Sequence, residues 1–172
     1  MSATVTKAFW TAWGATTMLN GIVAGHMVSH SVMLGQFFNW FIQTGNLDLL
    51  HRTYSVFRAS GTAHLVYDTP FYLHLAAGTV LAALALVVRR HRLISVLAGM
   101  STLWAATIFH VTDLDGAEDS VLTGTADAAT IRYYLDINIP VHAALALIYL
   151  LAMAAMLAIP LLERRREALL RQ

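Results

Sequence analysis

The sequence predicts an all-α integral membrane protein. We expect a four-helix bundle with both termini cytoplasmic and a short amphipathic helix in the first outer connection. Three observations predict it. Apolar residues make up 58% of the 172 residues and charged residues 12%, against about 45–50% and about 25% in ordinary globular domains. The few charges are gathered into short places, leaving apolar runs of about 18 residues or more, the length that crosses a bilayer as a helix. Basic residues also alternate in density from one connection to the next. The length suits one transmembrane domain over 1–172.

Each element follows from its own residues. A first span covers about 8–30, with a helical pattern that runs on to Phe41, and it is expected to stay in the mature chain because it has no clear cleavage site. Gly21, Gly25 and Ser29 form a small-residue stripe suited to close helix packing. Leu47, Leu50, Tyr54 and Phe57 recur at helical spacing in "NLDLLHRTYSVFR", which predicts the amphipathic helix, on the bilayer or capping the bundle. The second span, 71–88, follows "DTP". The third covers 93–111 and the fourth 139–162. Pro70 and Pro140 are expected at helix starts, where a missing N–H costs little, and Asn138 as a cap. The outer connections are then 31–69 and 112–138.

Charge sets the orientation. Lys7, the three arginines of "RRHR" (89–92) and the four of the C-terminal stretch are eight of the eleven basic residues. By the positive-inside rule these segments are cytoplasmic. Arg52, Arg58 and Arg132 remain for the outer side, with eight of the ten acidic residues. A bacterial inner membrane is the expected location, with the lipid bilayer as the first partner. A net charge of +1 gives no footprint for nucleic acid.

Seven of the eight histidines fall at the outer end in this topology. His26 and His30 are near the end of span one, i and i+4, on one helix face. His51 and His64 are in the first outer connection. His74 is a turn inside span two, His110 closes span three, and His142 opens span four. His91 belongs to the cytoplasmic basic loop and is expected to be solvated. A single interfacial histidine is ordinarily a hydrogen-bonded neighbour. Several from four helices at one level point to a site, because ionisable residues in spans face the bundle interior and bundles build metal sites from facing helices. The expected ligands are His26, His30, His74, His110, His142 and Asp113, or a subset. Asp113 follows His110 at i+3. Asp68, Asp136, Asn138, His51 and His64 would orient the imidazoles.

"DTPFYLHLAAG" and "DINIPVHAALA" each carry Asp, Pro and a His six residues after the Asp. This suggests a parallel repeat pairing Asp68 with Asp136 and His74 with His142. "DLDGAED" (113–119) begins like an EF-hand loop, but its Gly comes too early and the Glu at position twelve is missing. It reads as a solvated acidic loop, with Asp115, Glu118 and Asp119 as surface charge.

There is no cysteine, which excludes thiolate metal sites and iron–sulfur clusters. With imidazoles plentiful and no Glu in any span, copper is expected first, then iron or zinc. Haem b between two histidines is a further option. The reaction expected is metal-dependent oxidation, an oxygenase acting on a hydrophobic small molecule. Two rivals use the same residues: a metal or haem binding and transfer protein, and a non-catalytic subunit of a larger membrane complex. Self-association as a homo-oligomer is compatible with all three.

"GIVAG" in span one, the polar stop after span three and "YYLDINIPVHAALAL" opening span four resemble the anthrone oxygenase-like family of small four-helix membrane proteins. The resemblance implies a four-helix bundle and oxygen-dependent oxidation of a hydrophobic polycyclic substrate. Asn138 is the one position it carries over. The histidine set departs from the family's pattern, which puts a metal-free mechanism in doubt here.

Overall fold

The computed structural model describes residues 2–60 and 62–170, apart from seven side chains in that range, those of Arg58 and His64 among them. The described residues form helices and no strands. Helix α1 spans Ala3–Ser29, a π-helical turn spans His30–Leu34, and α2 spans Gly35–Gln43. They follow one another directly, so the helical pattern reaches past Phe41 as expected. Helix α3 (Leu47–Ser60) is the predicted amphipathic helix. Helices α4 (Ala63–Val88), α5 (Arg92–Gly99), α6 (Ser101–Val111), α7 (Leu114–Thr123) and α8 (Ala128–Leu169) complete the chain.

Two stretches, Asp68–Val88 and Ala128–Arg165, are long and apolar enough to cross a membrane. The pair α5 and α6, bent by 46° at Met100, makes a third if counted as one broken span. Helix α1 is 27 residues long but is not among them, because Lys7, Asn20 and its threonines dilute the apolar run. At about 1.5 Å per residue the 42 residues of α8 exceed the thickness of a hydrocarbon core.

Two helix starts differ from expectation. Pro70 lies inside α4, and Pro140 and Asn138 lie inside α8. In apolar surroundings a proline is tolerated within a helix when neighbouring groups re-satisfy the backbone. The cap of α8 is Asp127, whose carboxylate accepts the Thr130 backbone N–H at 2.8 Å. That bond holds the Asp127 carboxyl below the usual carboxylate range. A third difference is α7, a helix where a solvated acidic loop was expected. Leu114, Ala117, Val121 and Leu122 are buried at i, i+3, i+7 and i+8. Their apolar stripe outweighs the acidic residues between them.

The helices divide into two compact units. The first comprises 1–24, 70–103 and 147–172, the second 25–69 and 104–146. The first unit's core is Phe9, Trp13, Leu81, Ala85, Ala98 and Met156. Its basic loop is less solvated than its charge suggests. The His91 side chain is 8% exposed beside Glu163, and Trp10 and Trp13 face its ring. Gly21 belongs to the close packing that the small-residue stripe predicts, since a Cβ there would meet Met153 Sδ at 2.9 Å. Gly25 has open space instead.

In the second unit α3 packs on α2 and α7. Leu50 is fully buried with Phe38, Phe41 and Leu122, and Leu47 and Tyr54 lie against them. Phe57, on the same predicted face, stays largely exposed. A second cluster joins Leu114, Ala117, Val121 and Tyr134. Together the two clusters fix α7 against α2, α3 and the start of α8.

Candidate metal centre

Asn138 organises the site. It is fully buried on α8. Its Nδ2 donates to Asn39 Oδ1 at 3.1 Å and to the Gly35 carbonyl at 3.5 Å. Those acceptors orient the amide, so Oδ1 is the atom facing His30 Nε2 at 2.9 Å. An amide oxygen only accepts, so His30 carries its hydrogen on Nε2 and its lone pair on Nδ1. One turn along α8, His142 Nδ1 lies 2.8 Å from the Asn138 backbone carbonyl. That nitrogen must donate, which leaves the lone pair on Nε2. One residue therefore sets the tautomers of both histidines, by its side chain and by its backbone.

The π turn delivers His30 to this partner. The Gly35 N–H bonds the His30 carbonyl five residues back. π turns are rare and recur at functional sites. Gly35 leaves no room for a side chain: a Cβ there would meet Ile139 Cδ1 at 2.8 Å and His30 Cδ2 at 2.9 Å. Gly35→Ala is expected to push the His30 ring off Asn138 and to lower thermal stability by about 1–3 kcal/mol, the usual cost of overpacking. A melting curve of the variant in detergent checks this, and an unchanged midpoint would contradict it.

The two imidazoles stack, with ring centroids 3.5 Å apart and planes 11° from parallel. Glu118, half-buried on α7, brings its carboxylate to them. One ligand atom from each of His30, Glu118 and His142 lies within 4.8 Å of the others. Ligands of one ion at 2.0–2.2 Å sit about 3–4 Å apart, so a small closure would suffice. A ring's lone pair lies in the ring plane, and two parallel planes cannot both contain the same ion. Joint ligation therefore also requires one ring to turn. Phe38 stands edge-on to His30 at 6.2 Å and Phe109 to His142 at 5.6 Å. The walls beside the imidazoles are thus aromatic and apolar.

No family model, curated protein or solved structure matches this chain.

Among the described residues, His30, Glu118 and His142 are the group whose donors converge in this way. Two of the three belong to the expected ligand set, and Asn138, expected to orient imidazoles, hydrogen-bonds both of these. Glu118, expected to be surface charge, is the residue that sequence reasoning missed. The available signal was its place beside the buried stripe of α7, four residues after Leu114 and three before Val121.

The other expected positions do different things. His74 is fully buried in the first unit. Its Nδ1 lies 2.9 Å from Thr102 Oγ1, which lies 3.0 Å from the Tyr149 hydroxyl. His51 donates from Nε2 to the Val121 carbonyl at 2.6 Å. With Ser55 on the Leu122 carbonyl, it closes the last turn of α7, and its ring lies against Gly124, whose φ is +78°. His26 is half-buried, while His110, Asp68, Asp113 and Asp136 are exposed. Asp113 itself adopts a left-handed φ of 47° just before α7. The His64 side chain lies outside the described residues.

Proposed function

We propose that this chain is an integral membrane protein that holds a transition metal between His30, Glu118 and His142 and uses it to oxidise a lipophilic substrate with dioxygen. The observation that carries the reading is the convergence of these three donors, each from a different helical segment, beside aromatic walls. Two imidazoles and one carboxylate with further positions open are the ligand set of non-haem iron(II) oxygenases. Iron therefore moves ahead of copper and zinc. Copper leads only while no Glu lies in a span, and α7 supplies a carboxylate from a connection.

Bound there, the ion would supply the redox chemistry. The overall change would turn a substrate C–H bond, dioxygen, two electrons and two protons into a C–OH group and water. The electrons would come from a membrane-soluble reductant. His30 and His142 would bind through the lone pairs that Asn138 leaves on Nδ1 and Nε2, once one ring has turned out of the stack. Glu118 contributes negative charge, which offsets that of the cation in apolar surroundings. Phe38 and Phe109 keep water from the reacting substrate. The charge distribution supports four spans with cytoplasmic termini, α1 crossing as the most polar of them. The metal would then face the outer side of a bacterial inner membrane, where a hydrophobic substrate enters from the bilayer. Asn138 is also the position that the anthrone oxygenase-like resemblance carries over.

Elemental analysis of protein purified in detergent without oxygen tests the reading. Iron that copurifies stoichiometrically, with oxygen uptake on addition of a reductant, is the expected result. Protein that neither retains nor takes up a transition metal would overturn it.

A further inference from the structure

Helix α1 runs parallel to α5 in the first unit, and the seam between them carries oxygen atoms that the fold does not use. Trp13 faces the His91 ring at 5.3 Å. Asn20 Nδ2 reaches the Ala98 carbonyl at 3.4 Å. Both contacts join positions 78 residues apart, so one register holds along the seam. Thr16 lies three residues after Trp13 and four before Asn20. Ser95 lies four after His91 and three before Ala98. Both residues are therefore on the contacting faces, at the same level.

Thr16 and Ser95 are fully buried, yet Thr16 Oγ1 and Ser95 Oγ have no hydrogen-bond partner. That is unusual for buried polar atoms and unusual for this chain. Thr17, Ser31 and Thr79 each bond the carbonyl four residues back, the default for a helical hydroxyl. Thr16 and Ser95 have turned away from that default, and they are not bonded to each other.

More oxygens lie about one turn further along, where the α5–α6 helix breaks. Ser101 Oγ is 2.9 Å from Asn20 Oδ1 and 2.5 Å from the Ala98 carbonyl. The Asn20 amide hydrogens are taken by the Thr16 and Ala98 carbonyls, which leaves lone pairs in excess. Gly78 backs the break so closely that a Cβ on it would fall on the Gly99 carbonyl. The kink therefore cannot relax toward α4.

We propose that this seam binds a sodium ion through Thr16 Oγ1, Ser95 Oγ, Ser101 Oγ, Asn20 Oδ1 and the Ala98 carbonyl. Backbone carbonyls at broken membrane helices coordinate sodium in transporters, and uncharged hydroxyl and amide oxygens are donors of the same hard, neutral kind. The set has no carboxylate, so a divalent ion would bring charge that nothing there offsets. The ion would pin α1 to the kink of the α5–α6 pair. The site shares no residue with the His30 centre, so either can fail alone.

Thermal melting of the full chain in detergent, followed by Trp fluorescence, tests the proposal. The medium would hold sodium, potassium or choline chloride at equal ionic strength. The expected result is a saturable rise in midpoint in sodium over choline, about 5 °C or more at a hundredfold excess over the dissociation constant. The rise should be smaller in potassium and absent from the Thr16→Val, Ser95→Ala double variant. If the double variant does not fold, the wild-type series decides. A midpoint equal in sodium and choline, as a buried water would give, overturns the proposal. So does an equal rise in potassium, or a sodium effect that survives in the double variant.

Discussion

Purified His142→Ala protein is expected to retain no metal, whereas His74→Ala protein should retain it as the wild type does. His142 is 5% exposed and its Nδ1 is committed to the Asn138 carbonyl, so Nε2 has its lone pair fixed in one direction. Losing the groups that merely orient a ligand costs about 10–100-fold in metal affinity. Losing one of three ligands should cost more than about 100-fold by the same reasoning, enough to empty the site during purification. His74 is the informative control. The sequence places it beside His142 as a ligand, through the shared Asp–Pro–His pattern. In the structure its Nδ1 belongs to a chain with Thr102 and Tyr149. Equal metal loss in both variants, measured by elemental analysis, would restore the broader histidine set and sink the three-residue site.

The second large effect is expected from Asn138→Ala. The substitution removes the acceptor of the His30 Nε2–H and the donor to Asn39 Oδ1, and leaves the backbone carbonyl that holds His142. Each buried polar group left unpaired costs about 1–3 kcal/mol, so a clear fall in melting midpoint should accompany the change. Metal affinity should fall by about 10–100-fold without vanishing, because the ligands remain and only His30 loses its fixed tautomer. Metal titration of the variant separates this outcome from that of His142→Ala. Unchanged affinity would mean that Asn138 supports the fold but does not position the ligands.

Composition and periodicity made the helical class readable, and α3 with it. Its apolar residues repeat every three or four positions among polar ones, and burial on one side follows directly. Helix α7 carries the same kind of stripe, but four acidic residues within 113–119 mask it. The pattern of charge suggests water; the pattern of leucine, alanine and valine decides. Glu118 was hidden for the same reason. Its place beside the imidazoles depends on which way α7 rolls, and that is set by Leu114 and Val121 meeting Tyr134 and their neighbours. The prolines misled in the opposite direction. Their preference for helix starts reflects a backbone in water, and within α4 and α8 the surrounding helix carries them. His30 and His142 were legible as residue types at an apolar level. Their meeting through Asn138 was not, because it depends on a turn that no helical period contains.

That turn also has a genetic side. A π-helical turn is a helix holding one residue too many, kept in place by local bonding. The His30–Leu34 segment can be seen as a single-residue insertion that stayed. Removing one of residues 31–34 would let the chain run on as an ordinary α-helix with its flanks in nearly the same relation, because the π turn already absorbs the extra residue. Straightening the turn without a deletion would instead rotate the flanks against each other by about 100°, the rotation of one helical residue. With α2 held by its own packing, that rotation would carry His30 away from Asn138.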